Sequence, residues 1–189
     1  PPPTSTPAIS SAASDVYKRQ DHGFHLGEHG MWSKISLFEQ ATRVPMIVRI
    51  PGVTDGATCG EIVELVDLYP TLCNILEIDL PHDNLEGISF LPLVENPDLA
   101  WKKAAFTVCR QGVHLGRSIR TKSHRYTEWI DYADRDNENA AIRFSEMYDL
   151  EADSLEQNNL ADLTEHSAKQ KELAGLLSGG WENAIARIN

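Results

Sequence analysis

"DHGFHLGEHGMWSKISLFEQATRVPMIVRIPG", residues 21–52, joins two kinds of sequence in one stretch. Its first fourteen residues hold three histidines, three glycines, Asp21, Glu28 and Lys34. Its last nine, "VPMIVRIPG" (44–52), form a nearly continuous apolar run with Val and Ile, bounded by Pro and Gly. That run reads as a buried strand of the kind found in parallel sheets. "SLFEQATR" (36–43) before it suits a short helix. The opening part reads as a loop, because each glycine costs about 1 kcal/mol against alanine in a helix. "HLGEH" (25–29) fits the inverted zinc-protease pattern H-x-x-E-H. That chemistry needs both histidines on one face of a stable helix, and Gly23, Gly27 and Gly30 argue against one. Glycine suits a loop wrapped around a metal and an anion instead. Asp21 offers a hard oxygen ligand that favours Ca²⁺ or Mg²⁺ over zinc, and His22 an imidazole. Lys34 supplies a point charge for an oxyanion.

Downstream, "EIVELVDLYPTLCNILEI" (61–78) changes character at Asp67, a good N-cap, with Pro70 in the first turn. Leu68, Leu72, Ile75 and Leu76 fall on one face, which predicts a helix from about 67 to 77. Beyond a loop-rich connection (81–97) the pattern turns to strands: "AAFTVCR" (104–110), "GRSIRTKSHRYTEWI" (116–130) and "RFSEMYDL" (143–150). "TKSH" (121–124) suits the hairpin turn between two of them. "EADSLEQNNLAD" (151–162) is acidic and turn-rich. Residues 164–188 carry a helical pattern interrupted at Gly179–Gly180. The fold class is α/β, followed by an antiparallel sheet with a packing helix.

Upstream, "PPPTSTPAISSAASDVYKRQ" is a Pro/Ser/Thr/Ala tract that buries nothing and changes abruptly into the loop near residue 20. Residues 1–20 read as a non-native or disordered tail. Apolar residues make up 41% of the chain and charged residues 24%, which supports a buried core. The formal charge of −11 opposes nucleic acid as a partner. The three cysteines, Cys59, Cys73 and Cys109, form no C-x-x-C pair, so neither a disulfide framework nor a zinc knuckle organises the chain. No run of eighteen apolar residues predicts a membrane span, and no signal peptide is visible at the start.

The stretch 21–52 resembles the type I sulfatases of the alkaline-phosphatase superfamily and, within them, the iduronate-2-sulfatase-like group. The likeness continues in order through "VELVDLYPTLCNI", "LEGISFLPLV", "GRSIRTKSHRYTEW" and "EMYDLEADSLEQNNLA", with Ser154 where proline is usual. It implies three parts: the tail (1–20), a C-terminal remnant of the sulfatase α/β catalytic domain (21–98), and a C-terminal antiparallel-sheet subdomain with a helix (99–189). It implies that Asp21 and His22 are ligands of a divalent cation, usually Ca²⁺. It implies that Lys34 is catalytic and contacts the sulfate, and that Phe24 and His25 line the substrate pocket. Glu28 and His29 are expected to hold the loop by hydrogen bonds, and Trp32 to pack. The substrate implied is a sulfated carbohydrate or small sulfate ester, and the compartment periplasmic or extracellular.

The family's nucleophile is a formylglycine made from Cys or Ser in C/S-x-P-x-R. No cysteine or serine here begins that motif, and the family's paired N-terminal aspartates are absent. The expectation is therefore a sulfatase fragment, inactive alone. Two rivals are a phosphonate or phosphate ester hydrolase of the same superfamily, and a non-catalytic glycan-binding fragment. The acidic balance opposes the second, since such modules carry Lys/Arg clusters.

Overall fold

The computed structural model describes residues 16–53, 56–81, 85–137 and 139–185. Most of the 1–20 tail therefore lies outside the described residues, as does the part of the expected helical stretch 164–188 that follows residue 185. The elements begin with β1 (Val16–Arg19), β2 (His25–Leu26), a 3-10 turn (Glu28–Gly30) and β3 (Trp32–Ser33). They continue with α1 (Glu39–Thr42), β4 (Met46–Arg49), a 3-10 turn (Leu65–Asp67), α2 (Leu68–Ile75) and α3 (Leu91–Glu95). The C-terminal part is β5 (Ala105–Gln111), β6 (His114–Arg120), β7 (His124–Asp131), β8 (Phe144–Asp149), α4 (Ser167–Ser178) and α5 (Gly180–Ala184).

The four-stranded sheet is an antiparallel meander, β5-β6-β7-β8. Its register brings Phe106, Ile119, Tyr126 and Met147 into one row of direct partners across all four strands. That row, with Leu173 of α4 and Ala161, is the main core. The alternation that puts these residues on one face puts Ser118, Arg120, Arg125 and Thr127 on the other. This second face is covered as well: six successive residues of β7, Arg125 to Ile130, are buried. Its cover is the segment around Leu37–Ala41, carried in from the glycine-rich loop.

Two expectations need correction here. β4 was read as a buried strand of a parallel sheet. Its partner among the described residues is β1, and the pairing is antiparallel. Met46 and Val48 turn inward toward Phe90, Leu93 and Trp101, while Ile47 stays 61% exposed. An unbroken apolar run thus has one covered face only. β1 itself lies inside the segment read as a tail. The second correction is at α2. The helix is present, but its buried residues are Pro70, Thr71 and Cys73, and Leu76 is exposed. Asp67 precedes it without capping it. Its carboxylate accepts the N–H of Glu64 and of Ile88 and binds buried Lys102 at 2.7 Å. Lys102 also meets Glu64 at 2.7 Å, so one buried cation holds the helical segment to the start of the sheet.

The closing helix breaks between α4 and α5, at Gly179–Gly180, as expected. Among the described residues no helix is long and apolar enough to cross a membrane.

Candidate functional site

The site is built from the backbone of Gly23. Its N–H donates to the Ala41 carbonyl at 2.8 Å. A Cβ there would lie 1.8 Å from the Gln40 carbonyl oxygen, so only glycine lets the loop lie against α1. Asp21 and His22 immediately precede this contact. His22 Nδ1 lies 2.8 Å from the Gly23 carbonyl, which can only accept. Nδ1 therefore carries the hydrogen. Nε2 lies 2.8 Å from Lys34 Nζ, which can only donate, so Nε2 presents its lone pair. Asp21 Oδ2 is 3.5 Å from the same Nε2. The Asp21 carboxyl is held below the usual range, first by its own backbone N–H, with His22 and Lys34 adding to the effect.

The loop between these ends turns back through β2 and β3, where His25 pairs with Ser33 and Leu26 with Trp32. Glu28 closes it by accepting the Leu26 N–H at 2.6 Å. His29 sits at φ 55°, and its ring stacks on Phe38 with centroids 3.8 Å apart. His29 thus holds the loop by stacking, where a hydrogen bond was expected. His25 and His29 share no helix, so the H-x-x-E-H spacing has no structural counterpart.

The structure brings Asp21, His22 and Lys34 together. It leaves Phe24 half exposed and packs His25 inside, with Nε2 2.6 Å from Ser36 Oγ and its ring edge-on to Phe38. Trp32, expected to pack, is 72% exposed beside Leu26 and Ile35, which are also open. Cavities of about 120 and 440 Å³ among the described residues are not lined by Asp21, His22 or Lys34. The cluster is an open surface of this chain.

The metal reading can be tested on the donors. An imidazole whose Nδ1–H is fixed on a backbone carbonyl and whose Nε2 presents its lone pair outward is the form metal-binding histidines take. The Lys34 ammonium, a cation, already occupies that lone pair. Asp21 and His22 therefore fit as part of a cation site. They form only a pair: among the described residues no three His, Cys, Asp or Glu side chains gather as a metal would need.

Sequence reasoning missed the supports of this site. Ser36 fixes His25, and Phe38 stacks on His29 and meets Tyr148 of β8 at 5.9 Å. Gln111 at the end of β5 donates to the Ile35 carbonyl at 3.1 Å. Glu39 meets Arg120 and Arg125 from more than eighty residues away. No local pattern marks such pairs.

A family model described as N-sulphoglucosamine sulphohydrolase, C-terminal, matches residues 27–180. The chain is 34% identical over 166 residues to the N-acetylglucosamine-6-O-sulfatase of Bacteroides thetaiotaomicron, covering 83% of this chain and 28% of that protein. It is 32% identical to human arylsulfatase K, covering 77% of this chain and 27% of that one. Mouse iduronate 2-sulfatase is 28% identical, at 77% and 38% coverage. Among solved structures, a protein in complex with its substrate D-glucosamine-2-N,6-O-disulfate matches with TM-score 0.75 and 32% identity, over 87% of this chain and 33% of that chain. The phosphonate monoester hydrolase of Agrobacterium radiobacter matches with TM-score 0.73 at 23% identity, over 87% of this chain and 34% of that chain, which shows a shared fold alone.

Proposed function

The chain belongs to the sulfatases, within the family of N-sulphoglucosamine sulphohydrolase C-terminal domains, and from that premise we propose that it is the C-terminal part of a sulfuric ester hydrolase acting on a sulfated sugar. It spans under a third of the Bacteroides and human relatives, so activity belongs to a longer protein. The observation that carries the reading is the meeting of Lys34 Nζ with His22 Nε2 at 2.8 Å, beside Asp21. One loop thereby joins a carboxylate, an imidazole and an exposed ammonium on an open surface.

Each group has a part in sulfate-ester hydrolysis. Asp21 and His22 would hold a divalent cation, taken as Ca²⁺ on the resemblance, together with ligands from the longer protein. Such an ion would supply positive charge to the sulfate oxygens and would lower the pKa of an oxygen nucleophile. Lys34 Nζ, exposed and 2.8 Å from His22 Nε2, would offer its remaining N–H donors to a sulfate placed beside the pair. Its charge then stabilises the negative charge that grows on those oxygens as the ester bond breaks. Phe24, two residues after His22 and half exposed, would line a substrate pocket completed by the rest of the longer protein. His25 acts from behind, by keeping the loop folded on Ser36. The nucleophile comes from outside these 189 residues, since no cysteine or serine here begins C/S-x-P-x-R, and the chain alone does not turn over.

The test uses the full-length protein that carries this chain, assayed on an aryl sulfate and on glucosamine 6-sulfate. Lys34→Ala should lower kcat/KM by roughly two to three orders of magnitude, the loss seen when one oxyanion contact is removed, with unchanged melting temperature. A variant that keeps near-normal kcat/KM on both esters makes Lys34 a surface residue and removes the site assignment. Faster turnover of a phosphonate monoester than of any sulfate ester would favour the rival hydrolase.

A further inference from the structure

α1 is four residues long and has no side-chain cap of its own: Phe38 is its N-cap. Its first N–H, on Glu39, donates to Glu156 Oε2 at 2.7 Å, a carboxylate 117 residues further along the chain. Glu156 is 1% exposed and sits at φ 54°, a backbone conformation that glycine or asparagine would take more easily. Its other oxygen accepts Arg125 Nε at 2.6 Å. Arg125, 2% exposed, also donates to Glu39 Oε1 at 2.5 Å and to Thr42 Oγ1 at 3.0 Å, near the two ends of the helix.

The sheet register sharpens the point. Arg120 and Arg125 are direct cross-strand partners, and like charges so placed repel. The Glu39 carboxylate lies against both: Arg120 reaches it at 3.3 and 3.4 Å. Two buried or half-buried arginines thus balance two carboxylates, and removal of either side leaves charge uncompensated away from water. The helix so clamped offers the backbone on which Gly23 rests, through Ala41 at 2.8 Å and the close Gln40 carbonyl. Asp21 and His22 immediately precede Gly23.

We infer that Arg125 is a positioning residue: acting through Glu39, Glu156 and the α1 backbone, it lets the C-terminal sheet set the place of the Asp21–His22 pair. The inference deepens the sulfatase reading and rests on it only for the consequence in catalysis.

Two readouts test it separately. In this chain, amide hydrogen exchange is followed at Gly23 and, as reference, at β6 and β7. Arg125→Met should speed Gly23 exchange by tenfold or more while the sheet amides stay protected. Arg125→Lys should recover part of the protection. Lys102→Met is the control, because it empties a buried cation site that does not touch α1; Gly23 exchange should stay as in the parent chain. If Arg125→Met does not fold, Glu39→Gln reports on the same junction with one charge removed. Gly23 as protected as in the parent chain, in a variant whose sheet is intact, overturns the inference. In the full-length protein, Arg125→Met should lower kcat about tenfold with KM within twofold, and Lys102→Met, at a similar loss of melting temperature, should not. Equal kcat in the two variants likewise overturns the positioning role. If the parent protein hydrolyses no sulfate ester, the sulfatase reading fails and the Gly23 result stands by itself.

Discussion

Glu28 shows what one side chain does in the loop. Its carboxylate accepts the Leu26 N–H at 2.6 Å, and that bond is the first cause holding its pKa below 4.5. For an acid whose folded value is depressed, the stabilisation is present above the unfolded value and lost as pH falls through the folded one. The Leu26 amide resonance should therefore titrate with a midpoint below 4.5. Glu28→Gln should abolish the titration. A midpoint at or above 4.5 would mean that the bond does not form. Trp32 makes the opposite case. It is 72% exposed, so Trp32→Ala should change the stability of this chain by no more than about 0.5 kcal/mol. A loss of several kcal/mol on chemical denaturation would restore the packing role read from the sequence.

At the scale of elements, glycines record how closely segments approach. A Cβ on Gly87 would lie 2.0 Å from the Val66 carbonyl oxygen, a backbone atom beside α2. A Cβ on Gly116 in β6 would lie 2.5 Å from Leu37 Cδ1 and 2.9 Å from the Trp129 ring, atoms that can turn aside. Overpacking costs about 1–3 kcal/mol. Gly87→Ala should fall at or above the top of that range and Gly116→Ala near its middle, measured by urea denaturation. The reverse order would mean that the Leu37 contact is the more rigid. α4 is secured differently. Leu173 is its buried residue, seated on the row of Ile119, Tyr126 and Met147. Leu173→Ala should cost about 2–5 kcal/mol and release the helix first, visible as early loss of protection over 167–178.

The described residues form two unequal centres. One is the β5–β8 meander with α4; the other is the smaller cluster of Phe90, Leu93 and Trp101 over β4. Around the second, Val66, Tyr69, Leu76, Ile78 and Leu80 stand exposed. We expect the slowest hydrogen exchange in β6 and β7, and faster exchange over residues 35–95. Uniform protection from 21 to 185 would contradict this. The same incompleteness governs the metal. Ca²⁺ takes about six to eight oxygen ligands, and this chain offers Asp21 and His22. Titration calorimetry of the chain should show no micromolar calcium binding, and the full-length protein should show binding that Asp21→Ala weakens.

Periodicity and turn chemistry are local, so they were readable along the chain. The strands of the antiparallel sheet, the turn at 121–124, the α4–α5 break at Gly179–Gly180 and the short helix after the loop all follow from neighbours in sequence. The loop character of 21–34 followed from its glycines, and Asp21, His22 and Lys34 came from the resemblance. What tertiary structure alone decided is which face of each element is covered and what answers each buried charge. β4 and α2 carry apolar residues on more than one side, and only their neighbours select the buried ones. Asp67 looks like a helix cap and instead holds Lys102. Arg125, Glu39 and Glu156 lie far apart along the chain and meet in one junction, because an ion taken out of water needs a partner wherever the fold can bring one.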